Sequence, residues 1–116
     1  MADSGLHGPY SLTTDEIDKN VTKTSAGAYA LDKNSDGTFY VYYVGRDDKD
    51  VNDRLKDHVD EYARFKFGYY TSAKAAFEKE CTLFHDFGET KKLDNKIHPA
   101  RPDNSDWSCP GCDVFD

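Results

Sequence analysis

Ala26-Gly27-Ala28-Tyr29-Ala30-Leu31, Asp32-Lys33-Asn34-Ser35-Asp36-Gly37 and Thr38-Phe39-Tyr40-Val41-Tyr42-Tyr43-Val44 follow one another without a break. The first and third pieces are rich in apolar, aromatic and β-branched residues, which suit a pleated, half-buried surface. The piece between them is polar, and Asn and Asp-Gly tolerate the positive φ of a tight turn. Two strands around such a turn form an antiparallel hairpin.

Working outward, Val51, Leu55, His58, Val59 and Tyr62 recur at helical spacing, predicting a helix over Asp47–Tyr62. Phe65, Phe67 and Tyr69 then alternate with Lys66, Gly68 and Tyr70 as a third strand. Thr71 or Ser72 caps a second long helix that runs to about Phe87 and stops at Gly88. Upstream, Thr13 or Thr14 offers an N-cap, and Asp15 and Glu16 favour the positive end of a short helix through Val21. Residues 1–12 read as a mobile lead, and residues 96–116 as a polar tail without periodicity. The expected fold is an α/β domain of α+β type over residues 13–95. It has a leading helix and a small three-stranded antiparallel sheet flanked by helices, in the order ββαβα.

The chain has 116 residues, enough for one domain, with eight Tyr and seven Phe to supply much of its packing. Its formal net charge is −7, which argues against a free-standing, high-affinity nucleic-acid binder, because neutralising phosphates drives such binding. A protein that meets phosphates through a bound cation and a local basic patch is still compatible with that charge. It would bind DNA weakly on its own, or rely on a protein partner for specificity. No apolar run is long enough to span a membrane, and no apolar segment follows the polar N-terminus, so neither a membrane span nor a secretory signal is expected. Three cysteines, an odd number, suit a reducing cytoplasm and point to metal ligands or thiols rather than a disulfide frame.

Chemistry concentrates in a ladder of residues. Tyr29 and Tyr43 lie on the two hairpin strands, Arg54 follows Gly45 by nine positions, and His58 comes one helical turn after Arg54. Hydrolysis of a phosphodiester needs a positioned nucleophile and stabilisation of charge on the phosphoryl group. Arginine suits the second task, since its planar fork binds phosphate oxygens bidentately and stays charged. The plainer reading makes both tyrosines ordinary strand aromatics and His58 a half-buried helix residue.

The ladder resembles the GIY-YIG nuclease family. Gly27-Ala28-Tyr29 stands for its first tripeptide and Tyr43-Val44-Gly45 for its second, with Ala28 and Val44 replacing the family's isoleucines. The likeness runs from about Ala26 to Asn95, and the family's core has the same ββαβα order. It implies a divalent-metal-dependent endonuclease that hydrolyses DNA. Arg54 would grip the scissile phosphate, Tyr29 would activate or orient water with Tyr43 beside it, and His58 would act as acid, base or phosphate contact. A glutamate on the later helix would hold Mg²⁺ or Mn²⁺, and Asn95 resembles the family's late asparagine. Glu78 and Glu80 compete for the metal role. Glu80 falls among Ala73, Ala76, Phe77, Leu83, Phe84 and Phe87 on the apolar face, whereas Glu78 projects roughly opposite. A carboxylate on an apolar face is costly unless compensated, so Glu80 is preferred, with a cation or Arg54 as its partner. Arg46, Lys56, Arg64, Lys66 and Lys74 form either a phosphate-facing patch with Arg54 or a solvated face, and Arg46, Lys66 and Asn95 are the expected DNA contacts. A rival reading keeps the fold as a non-catalytic nucleic-acid or protein binding module.

The tail holds a second constellation. Cys109-Pro110-Gly111-Cys112 has the spacing of a metal-binding turn, and the only other cysteine, Cys81, precedes His85 by one helical turn. Together they make a Cys3His set for a structural zinc ion that would staple the polar tail to the helix. His98 is the reserve ligand. A thioredoxin-like use of the CxxC lacks the surrounding βαβ unit.

Overall fold

The computed structural model describes residues 6–33, 41–95, 99, 107, 109 and 110. They form a small α+β domain: β1 (His7–Ser11), α1 (Thr14–Asn20), β2 (Gly27–Asp32), β3 (Tyr43–Asp47), α2 (Val51–Lys56), β4 (Arg64–Tyr69), α3 (Ala73–Asp86) and the single turn α4 (Glu89–Lys92). The strands make one antiparallel sheet in the order β1-β4-β2-β3. From β2 to α3 the elements follow the predicted ββαβα order.

Strand β2 is buried along its whole length, and its pleat sorts the core into two layers. Tyr29 and Leu31 join Phe65, Phe67, Ile17, Val51 and Leu55 on the face covered by α1 and α2. Ala28 and Ala30 join Val44, Leu83 and Phe84 on the face covered by α3. The small alanines keep that face shallow, so α3 packs directly over β2 and β3. Leu31, Leu55, Phe65 and Phe77 are fully buried, each contributing about 1.5–3 kcal/mol by removal from water.

The sheet has four strands rather than three. His7–Ser11, predicted as part of a mobile lead, pairs antiparallel with β4 at the edge of the sheet. Gly8 and Pro9 disguise this strand. Proline is tolerated at an edge, where its missing N–H faces outward, and the pairing slips between His7 and Tyr10. Tyr10 anchors the strand on Phe65, with ring centroids 5.5 Å apart.

The helix predicted over Asp47–Tyr62 contracts to Val51–Lys56. Asp47 ends β3 instead, because its Oδ1 accepts the backbone N–H of Lys49 at 2.8 Å and of Asp50 at 2.7 Å, a turn that competes with helix. Beyond Lys56 the N–H groups of Asp57 and His58 donate to carbonyls three residues back, and Asp60 turns the chain at φ 77°. The second hairpin strand runs Tyr43–Asp47 rather than from Thr38 to Val44, and residues 34–40 lie outside the described residues.

The caps follow the sequence closely. Thr13 Oγ1 accepts the Glu16 N–H at 3.2 Å, Ser72 Oγ accepts the Ala75 N–H at 3.1 Å, and Gly88 ends α3 at φ 108°. Among the described residues no helix is long and apolar enough to cross a membrane.

Candidate active site

Strand β3 closes one end of the sheet, and a cleft of about 650 Å³ opens beside it. All five predicted catalytic residues, Tyr29, Tyr43, Arg54, His58 and Glu80, line this cleft. Two glycines allow the convergence. Gly45 stands opposite Tyr29 in the β2–β3 register, and a Cβ there would collide with the Tyr29 ring and hydroxyl. Without one, the phenol lies across β3. At Gly27 a Cβ would press on the Val51 side chain at 2.8 Å and on the Gly68 carbonyl at 2.7 Å, so its absence lets the first turn of α2 seat on the sheet.

The Tyr29 hydroxyl lies 2.9 Å from His58 Nε2, and His58 Nδ1 lies 3.0 Å from Glu61 Oε1. An ionised Glu61 places the imidazole proton on Nδ1, so Nε2 accepts from the tyrosine O–H. Tyr43 packs on the same imidazole with centroids 5.1 Å apart. Burial, then the neighbouring Tyr43, pushes the Tyr29 phenol well above its ordinary pKa, with the Arg54 charge pulling the other way. Burial, followed by the Glu80 charge, also raises Tyr43. Both phenols are therefore neutral at pH 7.

Arg54 carries a half-exposed guanidinium. Its Nε is 3.6 Å from Asp47 Oδ2 and its Nη1 is 3.8 Å from Asp57 Oδ2. Such loose, solvent-facing pairs are worth at most about 1 kcal/mol and exchange readily for a better anion.

Glu80 faces the sheet side of α3 as predicted, 8% exposed, but its partner is Arg46 rather than Arg54. Arg46 Nη1 donates to Glu80 Oε1 at 2.7 Å, its Nε donates to Asp48 Oδ1 at 2.8 Å, and its guanidinium stacks 5.0 Å from the Phe77 ring centroid. The pleat explains the exchange. Arg46 follows Gly45, so it points to the opposite face of β3, the one that α3 covers, while Arg54 belongs to α2 on the other side. Burial alone would lower the Arg46 pKa, but the Glu80 hydrogen bond and charge, then those of Asp48, raise it overall, so the pair stays ionised. Glu78 does not line the cleft, and its backbone carbonyl takes the Thr82 hydroxyl.

Of the expected DNA contacts, Arg46 alone lines the cleft. Arg46 is held by Glu80 and Asp48, and Lys66 sits on β4 with β2 between it and the open edge. Asn95 is buried, with Nδ2 donating to the Val44 carbonyl at 2.8 Å and Oδ1 accepting the Val44 N–H at 3.0 Å. It satisfies the outward-facing backbone of β3 as another strand would. Of the tail residues, Cys109 is buried beside Cys81, whereas Cys112 and the reserve ligand His98 lie outside the described residues.

Asp47 and Asp48, which line the cleft, and Glu61, which hydrogen-bonds His58, escaped the sequence reading. Glu61 was marked only by its three-residue spacing from His58, and Asp47 and Asp48 were hidden within an acidic run. Among the described residues no group of three His, Cys, Asp or Glu side chains is arranged to hold a metal ion. No protein-family model, curated protein or solved structure matches the chain.

Proposed function

We propose that the β3-edge cleft hydrolyses DNA phosphodiester bonds in the manner of a GIY-YIG endonuclease. The observation that carries this reading is the Tyr29–His58–Glu61 chain opening on the cleft that also holds Arg54 and Glu80. A water beside Tyr29 gives its proton to the phenol oxygen as Tyr29 passes its own proton to His58 Nε2. The water oxygen bonds to phosphorus, the bond from phosphorus to the leaving sugar oxygen breaks, and that oxygen takes a proton from solvent. Glu61 balances the imidazolium that forms. A free phenolate, which burial disfavours, is never required. Arg54 exchanges Asp47 and Asp57 for the non-bridging phosphate oxygens and stabilises charge there.

Glu80 is the residue that would hold Mg²⁺ or Mn²⁺. It fits that role because a carboxylate at this depth demands a positive partner, a demand that Arg46 meets here. When bound, a divalent ion supplies Lewis-acid stabilisation of phosphoryl and leaving-group oxygens. The acidic net charge supports weak intrinsic affinity for DNA and a partner that delivers the substrate.

The test is cleavage of linear, supercoiled and branched DNA with Mg²⁺ or Mn²⁺, comparing wild type with Arg54→Ala. The variant should lose about 10²–10³-fold in rate, the usual cost of a charge-stabilising donor, with thermal stability unchanged. Equal turnover would remove Arg54 from the mechanism. A second reading, a binding module without catalysis, is favoured by the closed Arg46–Glu80 pair together with the net charge of −7. Failure of the wild type to cut any of these substrates would select it.

A further inference from the structure

From the end of β3 towards α2 the chain reads Asp47-Asp48-Lys49-Asp50, a single cation among three carboxylates. Opposite charges this close in sequence would ordinarily pair. Here each carboxylate is committed elsewhere. Asp47 uses Oδ1 for the N–H groups of Lys49 and Asp50 and turns Oδ2 towards Arg54 Nε. Asp48 Oδ1 holds Arg46 Nε at 2.8 Å. Asp50 buries its Oδ1 and lines a separate pocket with Asp18 and Asn52. Lys49 itself is exposed and lines the cleft. Of the other cations there, Arg46 is closed against Glu80 and Asp48, and Arg54 keeps two loose pairs. Among the described residues, Lys49 is the cleft cation with no ion pair to give up when an anion enters.

We propose that Lys49 binds a phosphate next to the one that Arg54 holds, with Asp47 as the positioning residue for both cations. The cleft then takes a strand with consecutive phosphates rather than an isolated phosphate ester. The choice of a nucleic-acid strand as ligand rests on the nuclease reading, whereas the unpaired charge is a property of the turn. Asp47 serves both cations through one carboxylate: Oδ1 fixes the backbone of Lys49 at 2.8 Å, and Oδ2 faces Arg54 Nε at 3.6 Å. The two side chains suit different tasks. The planar fork of Arg54 matches two oxygens of one phosphate, while a lysine is a compact charge on a flexible stem that follows a neighbouring phosphate without fixing its orientation. Contacts to flanking phosphates set the register of a strand without reading its bases. With a net charge of −7, the chain depends on such local cations for any hold on the strand.

The test is binding of a short thymidine single strand to the full chain without divalent ions, followed by fluorescence anisotropy over a range of salt concentrations. Losing one phosphate contact flattens the plot of log affinity against log salt by about 0.7 for a single strand. Lys49→Gln should show that change and bind several-fold more weakly at low salt. Lys19→Gln removes the same charge from α1, outside the cleft, and should leave the slope unchanged. Inorganic phosphate offers a single group, so Arg54→Ala should weaken its binding and Lys49→Gln should not. Asp47→Asn and Asp47→Ala remove the same charge, but only asparagine keeps an oxygen for the two N–H groups of the turn, so it should bind the strand more tightly. An unchanged slope in Lys49→Gln, or no binding of the strand by wild type at any salt, would overturn the proposal. Loss of inorganic phosphate in Lys49→Gln would overturn the assignment to a second phosphate, and equal affinity of the two Asp47 variants would overturn the positioning role. A wild type that binds with the expected slopes yet cuts no DNA would end the nuclease reading and leave Lys49 in its place.

Discussion

Two arginine–carboxylate pairs brace this sheet, and they are buried to similar degrees. Asp32 and Arg64 face each other across β2 and β4, with side chains 0% and 15% exposed. Arg46 and Glu80 join β3 to α3, with side chains 12% and 10% exposed. Their surroundings differ. The first pair ties two neighbouring strands and stands away from the cleft, whereas the second opens on it beside Tyr29, Tyr43 and a second carboxylate, Asp48. A buried ion pair by itself says little about function, since desolvation offsets much of the Coulombic gain. What distinguishes Arg46–Glu80 is that it lines the cleft, so the metal role proposed for Glu80 requires Arg46 to give way there.

The largest effect should come from breaking the Asp32–Arg64 pair. Asp32→Ala leaves the Arg64 guanidinium without its buried carboxylate and should cost about 3–5 kcal/mol in denaturant unfolding. Glu80→Ala should cost less, because Asp48 still holds Arg46 Nε at 2.8 Å and the cleft admits water. Equal losses in the two variants would erase the distinction between a structural pair and an exchangeable one.

Next comes the exchange itself. If Arg46 competes with a divalent ion for Glu80, Arg46→Met removes the competitor while keeping much of the stacking on Phe77. A charged hydrogen bond of about 1.5–3 kcal/mol is then no longer lost on metal binding, so the Mg²⁺ midpoint should fall by about tenfold or more. Titration calorimetry with Mg²⁺ and Mn²⁺ reads this directly. An unchanged or weaker midpoint would mean that Arg46 supports the site rather than guarding it.

The same comparison shows how far the sequence could be read. Tyr29, Tyr43, Arg54 and Glu80 could be assigned to faces from periods of two and 3.6 residues before any contact is known, whereas His58 lies beyond the end of α2 at Lys56 and reaches the cleft through the turn there. Glu80 was recognisable by the apolar residues around it on α3. Its partner was not, because choosing Arg46 over Arg54 requires knowing which face of β3 lies under α3, and that depends on packing rather than local pattern. Strand β1 was masked by Gly8 and Pro9, which mean a loop in most contexts and are tolerated here only at a sheet edge. The contraction of α2 came from one side chain, Asp47, capturing two backbone N–H groups that a helix would otherwise use. Asn95 reaches Val44 across 51 positions, and no local pattern carries that pairing.

A third ion pair sets the small end of the scale. Lys33 Nζ lies 2.9 Å from Asp94 Oδ2, with side chains 51% and 40% exposed, and the same carboxylate accepts the Tyr62 hydroxyl at 3.0 Å. The Lys33 hydrogen bond, partly opposed by burial and helped by Tyr62, holds the Asp94 carboxyl below its ordinary 3.8. A depressed folded pKa means that this contribution is fully present above about pH 4 and is lost as pH falls through the folded value. Exposure and salt screening keep it to about 0.2–1 kcal/mol. Asp94→Asn should therefore lower stability slightly at pH 7, and the gap from wild type should close in acid and shrink in high salt. The Asp94 N–H also donates to the Tyr42 carbonyl, next to the Asn95 clamp on Val44, so the loosening should appear as faster amide exchange along β3. Urea unfolding across the acid range measures the first effect and hydrogen exchange the second. A loss comparable to that of Asp32→Ala, persisting in acid, would show that exposure does not rank these pairs.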